Sequence, residues 1–143
     1  MEKVYVVYWS GTGNTEAMAN MLADGVKAAG AVAEVAEMDG MDASVLAQQS
    51  AFALGSPAMG DEELEDTIVE PFVAELEKCV SGKKIVLFGS YDWGDGEWMR
   101  SWAERMKNAG AEILGGEGII ANNEPDDEAK EKLEEAGRKL AEL

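Results

Sequence analysis

Val4-Tyr-Val-Val-Tyr-Trp-Ser-Gly-Thr-Gly-Asn-Thr15 decides how this chain reads. Six apolar residues run unbroken to Trp9, and the run stops at Ser10-Gly11. A valine-rich apolar run closed by glycine is the pattern of a strand covered on both faces, as in a parallel sheet. It is too short for a membrane helix or a signal-peptide core, so no targeting or transmembrane segment is expected. Met18, Leu22 and Val26 then recur at helical spacing until Gly30, which predicts a helix over 13–29. The opening is therefore strand, glycine-rich turn, helix.

That unit repeats. Val32 to Val35 reads as a second strand and Ala51 to Leu54 as a third, with a helix inside Met38 to Gln49 between them. A helix is expected over 67–79, with Pro71 in its first turn, where a missing N–H costs least. Lys84 to Phe88 gives the fourth strand. Glu97 to Ala109 gives a helix whose Trp98, Trp102 and Met106 form a core stripe. Ile113-Leu114 and Ile119-Ile120 flank a glycine-rich stretch and predict a fifth, interrupted strand. The last helix starts near Pro125 to Glu128, with Leu133, Ala136 and Leu140 as its buried face. Strands alternating with amphipathic helices predict an α/β fold, a parallel sheet with helices on both faces. The lack of a linker or internal repeat predicts a single domain over 1–143.

Composition narrows the chemistry. The chain has 143 residues with 12 Lys and Arg against 29 Asp and Glu, so 12 − 29 = −17, and it has no histidine. Such a charge argues against nucleic acid and against anionic membrane surfaces. Without histidine there are no imidazole triads or imidazole metal ligands. Cys79 is the only cysteine, which excludes an internal disulfide and a zinc cluster and fits a reducing, cytoplasmic setting. No metal site is expected.

In open sheets of this kind ligands bind beyond the carboxyl ends of the strands. Three such ends carry unusual loops: Ser10-Gly11-Thr12-Gly13-Asn14-Thr15, Ser56-Pro57-Ala58-Met59-Gly60-Asp61-Glu62, and Ser90-Tyr91-Asp92-Trp93-Gly94. The first offers two glycines, hydroxyl donors and a following helix N-terminus, which suits a phosphate. It lacks the Walker lysine and the third glycine of the dinucleotide fingerprint. An ordinary capped turn is the alternative reading. With no Lys or Arg in the loop, backbone and hydroxyl donors would have to hold the phosphate. Met59 and Trp93 could grip a flat aromatic ligand or simply pack loop on loop.

The three loops, together with Ser81-Gly-Lys-Lys84 and Asn123-Glu-Pro-Asp126, resemble the short-chain flavodoxins of anaerobic bacteria, essentially end to end. The resemblance implies a doubly wound five-stranded parallel sheet of order 2-1-3-4-5. It implies one non-covalent FMN and a low-potential electron carrier acting as a monomer. Ser10 to Thr15 would take the phosphate. Met59 to Glu62 would cover one flavin face, Glu62 bonding the pyrimidine ring. Trp93 would stack on the other face, Ser90 to Gly94 would supply backbone contacts, and Asn123 would lie near the ribityl chain. Ser56 stands where relatives often have cysteine, and Asp92 where they commonly have glycine. A positive φ at Asp92 would be costly, so that contact is the one to check.

Charge and function connect here. Residues 28–77 hold twelve acids and no Lys or Arg. Of these, Asp61, Glu62, Glu63, Glu65 and Asp66 in or beside the second loop, with Asp92 and Asp95 in the third, would oppose a second electron on the flavin, while Glu131, Glu134 and Glu135 on the last helix serve solvation. A turning peptide at Gly60 would favour the first electron. Basic-surfaced redox enzymes are the expected transient partners. A small FMN-dependent quinone reductase is the alternative. A phospho-receiver module would need an acidic pair where Tyr8-Trp9-Ser10 stands.

Overall fold

The computed structural model describes all residues, Met1–Leu143. In chain order the elements are β1 (Lys3–Tyr8), α1 (Asn14–Ala28), β2 (Val32–Glu37), α2 (Ala43–Ala47), β3 (Ala51–Gly55), α3 (Val69–Leu76), β4 (Lys84–Tyr91), α4 (Glu97–Asn108), β5 (Glu112–Ile113), β6 (Ile119–Asn122) and α5 (Asp127–Ala141). Every strand pair is parallel, and the order is β2-β1-β3-β4-β5, with β6 also on β4. This is the flavodoxin-like order the resemblance implied. The interrupted fifth strand is real: β5 and β6 share one side of β4, separated by a turn through Gly115 and Gly116.

Alternation along each strand feeds two cores. Phe52, Leu54, Ile85 and Leu87 meet Phe72 and Leu76 of α3 and Trp98, Trp102 and Met106 of α4 on one face. Val4, Val6, Ala53, Val86 and Phe88 meet Met18 and Leu22 of α1 and Leu133 and Leu140 of α5 on the other. Helices thus cover both faces, as the strands' continuous apolar runs require.

α2 lies inside the expected Met38 to Gln49, while α3 is shorter than the expected 67–79, and a carboxylate sets the start of each. α2 begins where Asp42 caps it, its carboxylate accepting from Ser44 N at 2.9 Å. α3 is fixed at its start by Glu65, which is 7% exposed. The Glu65 carboxylate accepts from Thr67 N and Ile68 N, both at 2.6 Å, from Val69 N at 3.3 Å, and from the Thr67 hydroxyl. Burial opposes ionisation of this carboxyl, but those hydrogen bonds outweigh it and hold it below its usual range.

Helices α1 and α5 touch backbone to backbone at Gly25 and Gly137. A Cβ on Gly25 would lie 2.0 Å from the Glu134 carbonyl oxygen, and one on Gly137 would lie 2.1 Å from that of Leu22. The pairing sets the position of α1, and with it the loop that precedes α1.

Candidate functional site

The loops after β1, β3, β4 and β6 converge on a cavity of about 270 Å³ at the carboxyl edge of the sheet. Gly11, Thr12 and Asn14 line it from the first loop; Pro57, Ala58, Met59, Gly60 and Glu62 from the second. Ser90, Tyr91, Asp92 and Trp93 line it from the third, and Asn123 from the fourth. The other six expected residues support it or lie beside it. Ser10 Oγ accepts from Gly13 N at 3.1 Å and Glu16 N at 3.3 Å, shaping the turn and keeping its own O–H free to donate. Thr15 is buried, and its Oγ1 lies 2.9 Å from Ser90 Oγ and accepts from Ser90 N at 3.3 Å. It joins the first loop to the third. Buried Ser56 donates to the Pro57 carbonyl at 3.2 Å and accepts from Trp98 Nε1 at 3.2 Å through its own carbonyl. Trp98 is thus core, as expected, and also holds the second loop. Asp61 and Gly94 lie just outside the wall.

The first loop presents free donors. Gly13, at φ 97, is the N-cap of α1 and has no side chain to cap it. The N–H groups of Gly11, Thr12, Asn14 and Thr15 find no acceptor in the protein. Converging unpartnered amides at a helix start are suited to a phosphate.

The second loop is a tight hairpin in which Met59 and Glu63 exchange both N–H···O bonds at 2.8 Å. Gly60 at its tip has φ 54, and nothing lies within 4 Å of where a Cβ would stand. Glu62, also at positive φ (55), places Oε1 on the start of α4, accepting from Gly96 N and Glu97 N at 3.1 Å each. Its Oε2 has no partner in the protein. One carboxylate therefore ties the second loop to the third and leaves an oxygen for a ligand.

In the third loop Asp92 does not take a positive φ, so the strain feared for a side chain at this position is absent. Trp93 is 59% exposed and Met59 40% exposed. These large apolar side chains flank the cavity unpacked, which favours gripping a ring over loop-on-loop packing. The residues present fit FMN: amide donors for a phosphate at one end, an aromatic face and a thioether at the other.

The nearby acids are not alike. Glu65 holds α3, and Asp95 pairs with Arg100 at 3.0 Å. Glu70 and Glu77 share Arg105. Asp61, Glu63, Asp66 and Asp92 have no such cationic partner.

Beneath the first loop, the hydroxyl of buried Tyr8 donates to Glu16 Oε2 at 2.9 Å. Burial, then the Glu16 bond and the charges of Glu16 and Glu37, push the phenol up to about 12 from its ordinary 10. A raised phenol pKa favours the protonated folded form. Its contribution is complete below pH 10 and is lost as pH rises to 12. Unfolding free energy should therefore fall across that window, and fall less in Tyr8→Phe; parallel curves for the two proteins would contradict the assignment.

Sequence reasoning took Glu65 for one of the charges at the second loop and missed its hold on the start of α3; it also missed the Tyr8–Glu16 pair and Asn122. The last was findable: Asn122-Asn123 ends a strand whose carboxyl end faces the site.

The Flavodoxin family matches residues 6–137. This chain belongs to the flavodoxin family. It is 49% identical to the flavodoxin of Megasphaera elsdenii over 137 residues, covering 94% of this chain and 98% of that one. It is 44% identical to the flavodoxin of Clostridium beijerinckii over 138 residues, covering 96% and 99%. The solution structure of the two-electron reduced Megasphaera elsdenii flavodoxin superposes with a TM-score of 0.86 at 50% identity, over 95% of this chain and 98% of that one. Flavodoxins bind FMN and transfer electrons, and this chain is such a carrier, not an enzyme. No helix is long and apolar enough to cross a membrane.

Proposed function

We propose that the cavity between the four loops is the FMN site, and that the chain is one FMN-binding domain carrying electrons between basic-surfaced redox enzymes in the cytoplasm, as a monomer. The observation that carries this is the set of unpartnered amides of Gly11, Thr12 and Asn14 in the wall of a cavity also lined by exposed Trp93 and Met59, with the unpartnered Thr15 amide next in the chain. Bound FMN supplies the one-electron chemistry.

The chain's own residues then divide the work. Ser10 to Thr15 hold the phosphate by N–H and O–H donors without any cation, each charge-assisted bond contributing roughly 1.5–3 kcal/mol. Met59 and Trp93 cover the two ring faces and keep water from them. Glu62 offers its free oxygen to a ring N–H. Gly60, free of a side chain, would let its peptide turn so that a carbonyl accepts a hydrogen bond from a ring N–H. Ser56 and Gly94 hold the loops close, Asp61 stands at the rim, and Ser90, Tyr91 and Asn123 complete the wall.

Asp92, on the wall and without a cationic partner, opposes added negative charge at the ring. Asp92→Asn should raise the potential of the second one-electron step by about 1 kcal/mol, on the order of 40 mV. Glu131→Gln, on the outer side of α5, should leave it unchanged. Spectroelectrochemical titration of both variants checks this, and equal shifts would remove the local electrostatic cause.

The same charge selects partners. Electron transfer to a basic acceptor protein should slow steeply as ionic strength rises, because attraction between the −17 chain and a basic patch is screened beyond about 8 Å at physiological salt. Rates independent of salt in stopped-flow mixing would rule the docking mode out.

A further inference from the structure

The third loop leaves β4 with its peptides set in an unusual way. The Ser90 carbonyl faces β3 and accepts from Ala58 N at 3.0 Å. The next carbonyl along a strand points the other way, and that of Tyr91 accepts from Asn123 N at 2.7 Å on the β6 side. There the alternation breaks. The Asp92 carbonyl also faces β6, where Asn122 Nδ2 donates to it at 3.2 Å and to the Tyr91 carbonyl at 3.3 Å. Two carbonyl acceptors fix which end of the carboxamide is turned to them, since only its nitrogen donates.

All peptide bonds are trans, and a planar trans peptide points its N–H opposite to its C=O. The N–H groups of Asp92 and Trp93 therefore both turn away from β6, toward the side held by the second loop. Both residues line the cavity, and neither amide has an acceptor in the protein. Two successive amides facing one way make a small concave donor pair for a partly negative atom.

We propose that Asn122 is a positioning residue: its carboxamide sets the peptides on either side of Asp92 so that the Asp92 and Trp93 N–H groups donate to one acceptor edge of the flavin ring. The inference rests on the reading of the cavity as the FMN site. It also explains how aspartate serves at position 92, since an outside amide orients the peptides and no positive φ is needed. Asn122 is exposed, so its replacement leaves the core untouched.

The test titrates the full-length chain, freed of cofactor, with FMN and with riboflavin, and follows the backbone amides by ¹⁵N–¹H spectroscopy. In the wild type, flavin should shift the Asp92 and Trp93 amides; if it does not, the cavity reading itself fails. Asn122→Ala should weaken FMN and riboflavin by the same factor, about tenfold, because the contact is to the ring both share. It should also move the Asp92 and Trp93 amide signals before any flavin is added. Asn122→Asp, of the same shape but without the donor, should weaken both at least as much. Unchanged affinities, a loss confined to FMN, or wild-type binding by Asn122→Asp would overturn the role of Asn122 while leaving the site itself standing.

Discussion

Gly25→Ala should destabilise the protein by about 3 kcal/mol, as a fall in the urea midpoint of the cofactor-free chain, although helix propensity alone favours alanine by about 1 kcal/mol. The added Cβ would sit 2.0 Å from the Glu134 carbonyl oxygen and within 2.8 Å of the Glu134 Cα. These are backbone atoms of α5, which no rotamer change moves aside. Relief needs α1 and α5 to separate, loosening Met18 and Leu22 from Leu133 and Leu140. Gly137→Ala meets the reciprocal clash with the Leu22 carbonyl and should behave alike. Because α1 begins at Asn14, its displacement also shifts the amides of the first loop, so FMN affinity should fall with stability. A midpoint unchanged or raised would show that the helix pair is not set by this contact. The measurement belongs on cofactor-free protein, since a ligand bound only to the folded state adds stability of its own.

Trp93→Ala should weaken FMN by about 2 kcal/mol, roughly thirtyfold, with almost no change in the stability of the cofactor-free chain. The indole is 59% exposed and belongs to neither core cluster, so its removal costs the fold little. What is lost is an aromatic face over the cavity. Trp98, five residues on, sharpens the contrast. It is 1% exposed, packs its ring against Tyr91 at 5.6 Å between centroids and donates to the Ser56 carbonyl. Its truncation should strike stability first. Fluorescence titration beside urea unfolding separates the two tryptophans, and a Trp93→Ala protein that binds FMN like the wild type would refute stacking.

The sheet was legible because β1, β3 and β4 are buried on both faces and so carry apolar runs that no helix period explains. The core stripe of Trp98, Trp102 and Met106 was equally plain from its spacing. Helix ends were less so: α2 and α3 are bounded by the carboxylates of Asp42 and Glu65, contacts that depend on where the chain turns rather than on any periodicity. The site was readable at the level of loops, and thirteen of its residues line the cavity. Individual duties were not. Thr15 and Ser56 carry donor groups suited to a ligand, yet both are buried and bond neighbouring loops. Glu62 read from the sequence as a ring ligand and a negative charge, and Asp95 as bare negative charge, whereas the first also caps α4 and the second pairs with Arg100. Asn122 acts across 31 residues on the Tyr91 carbonyl, a partnership visible only once β6 lies beside β4.

The central claim is that a chain of net charge −17 holds a phosphate dianion with backbone amides and hydroxyls alone. Comparing FMN with riboflavin over a range of salt concentrations tests it most directly. Several amide bonds should make FMN bind at least about 100-fold tighter than riboflavin. Added salt should leave FMN affinity unchanged or raise it, because screening weakens only the repulsion from the acidic surface. Equal affinities for the two flavins, or FMN affinity that falls steeply with salt as a lysine or arginine clamp would make it, would contradict the account.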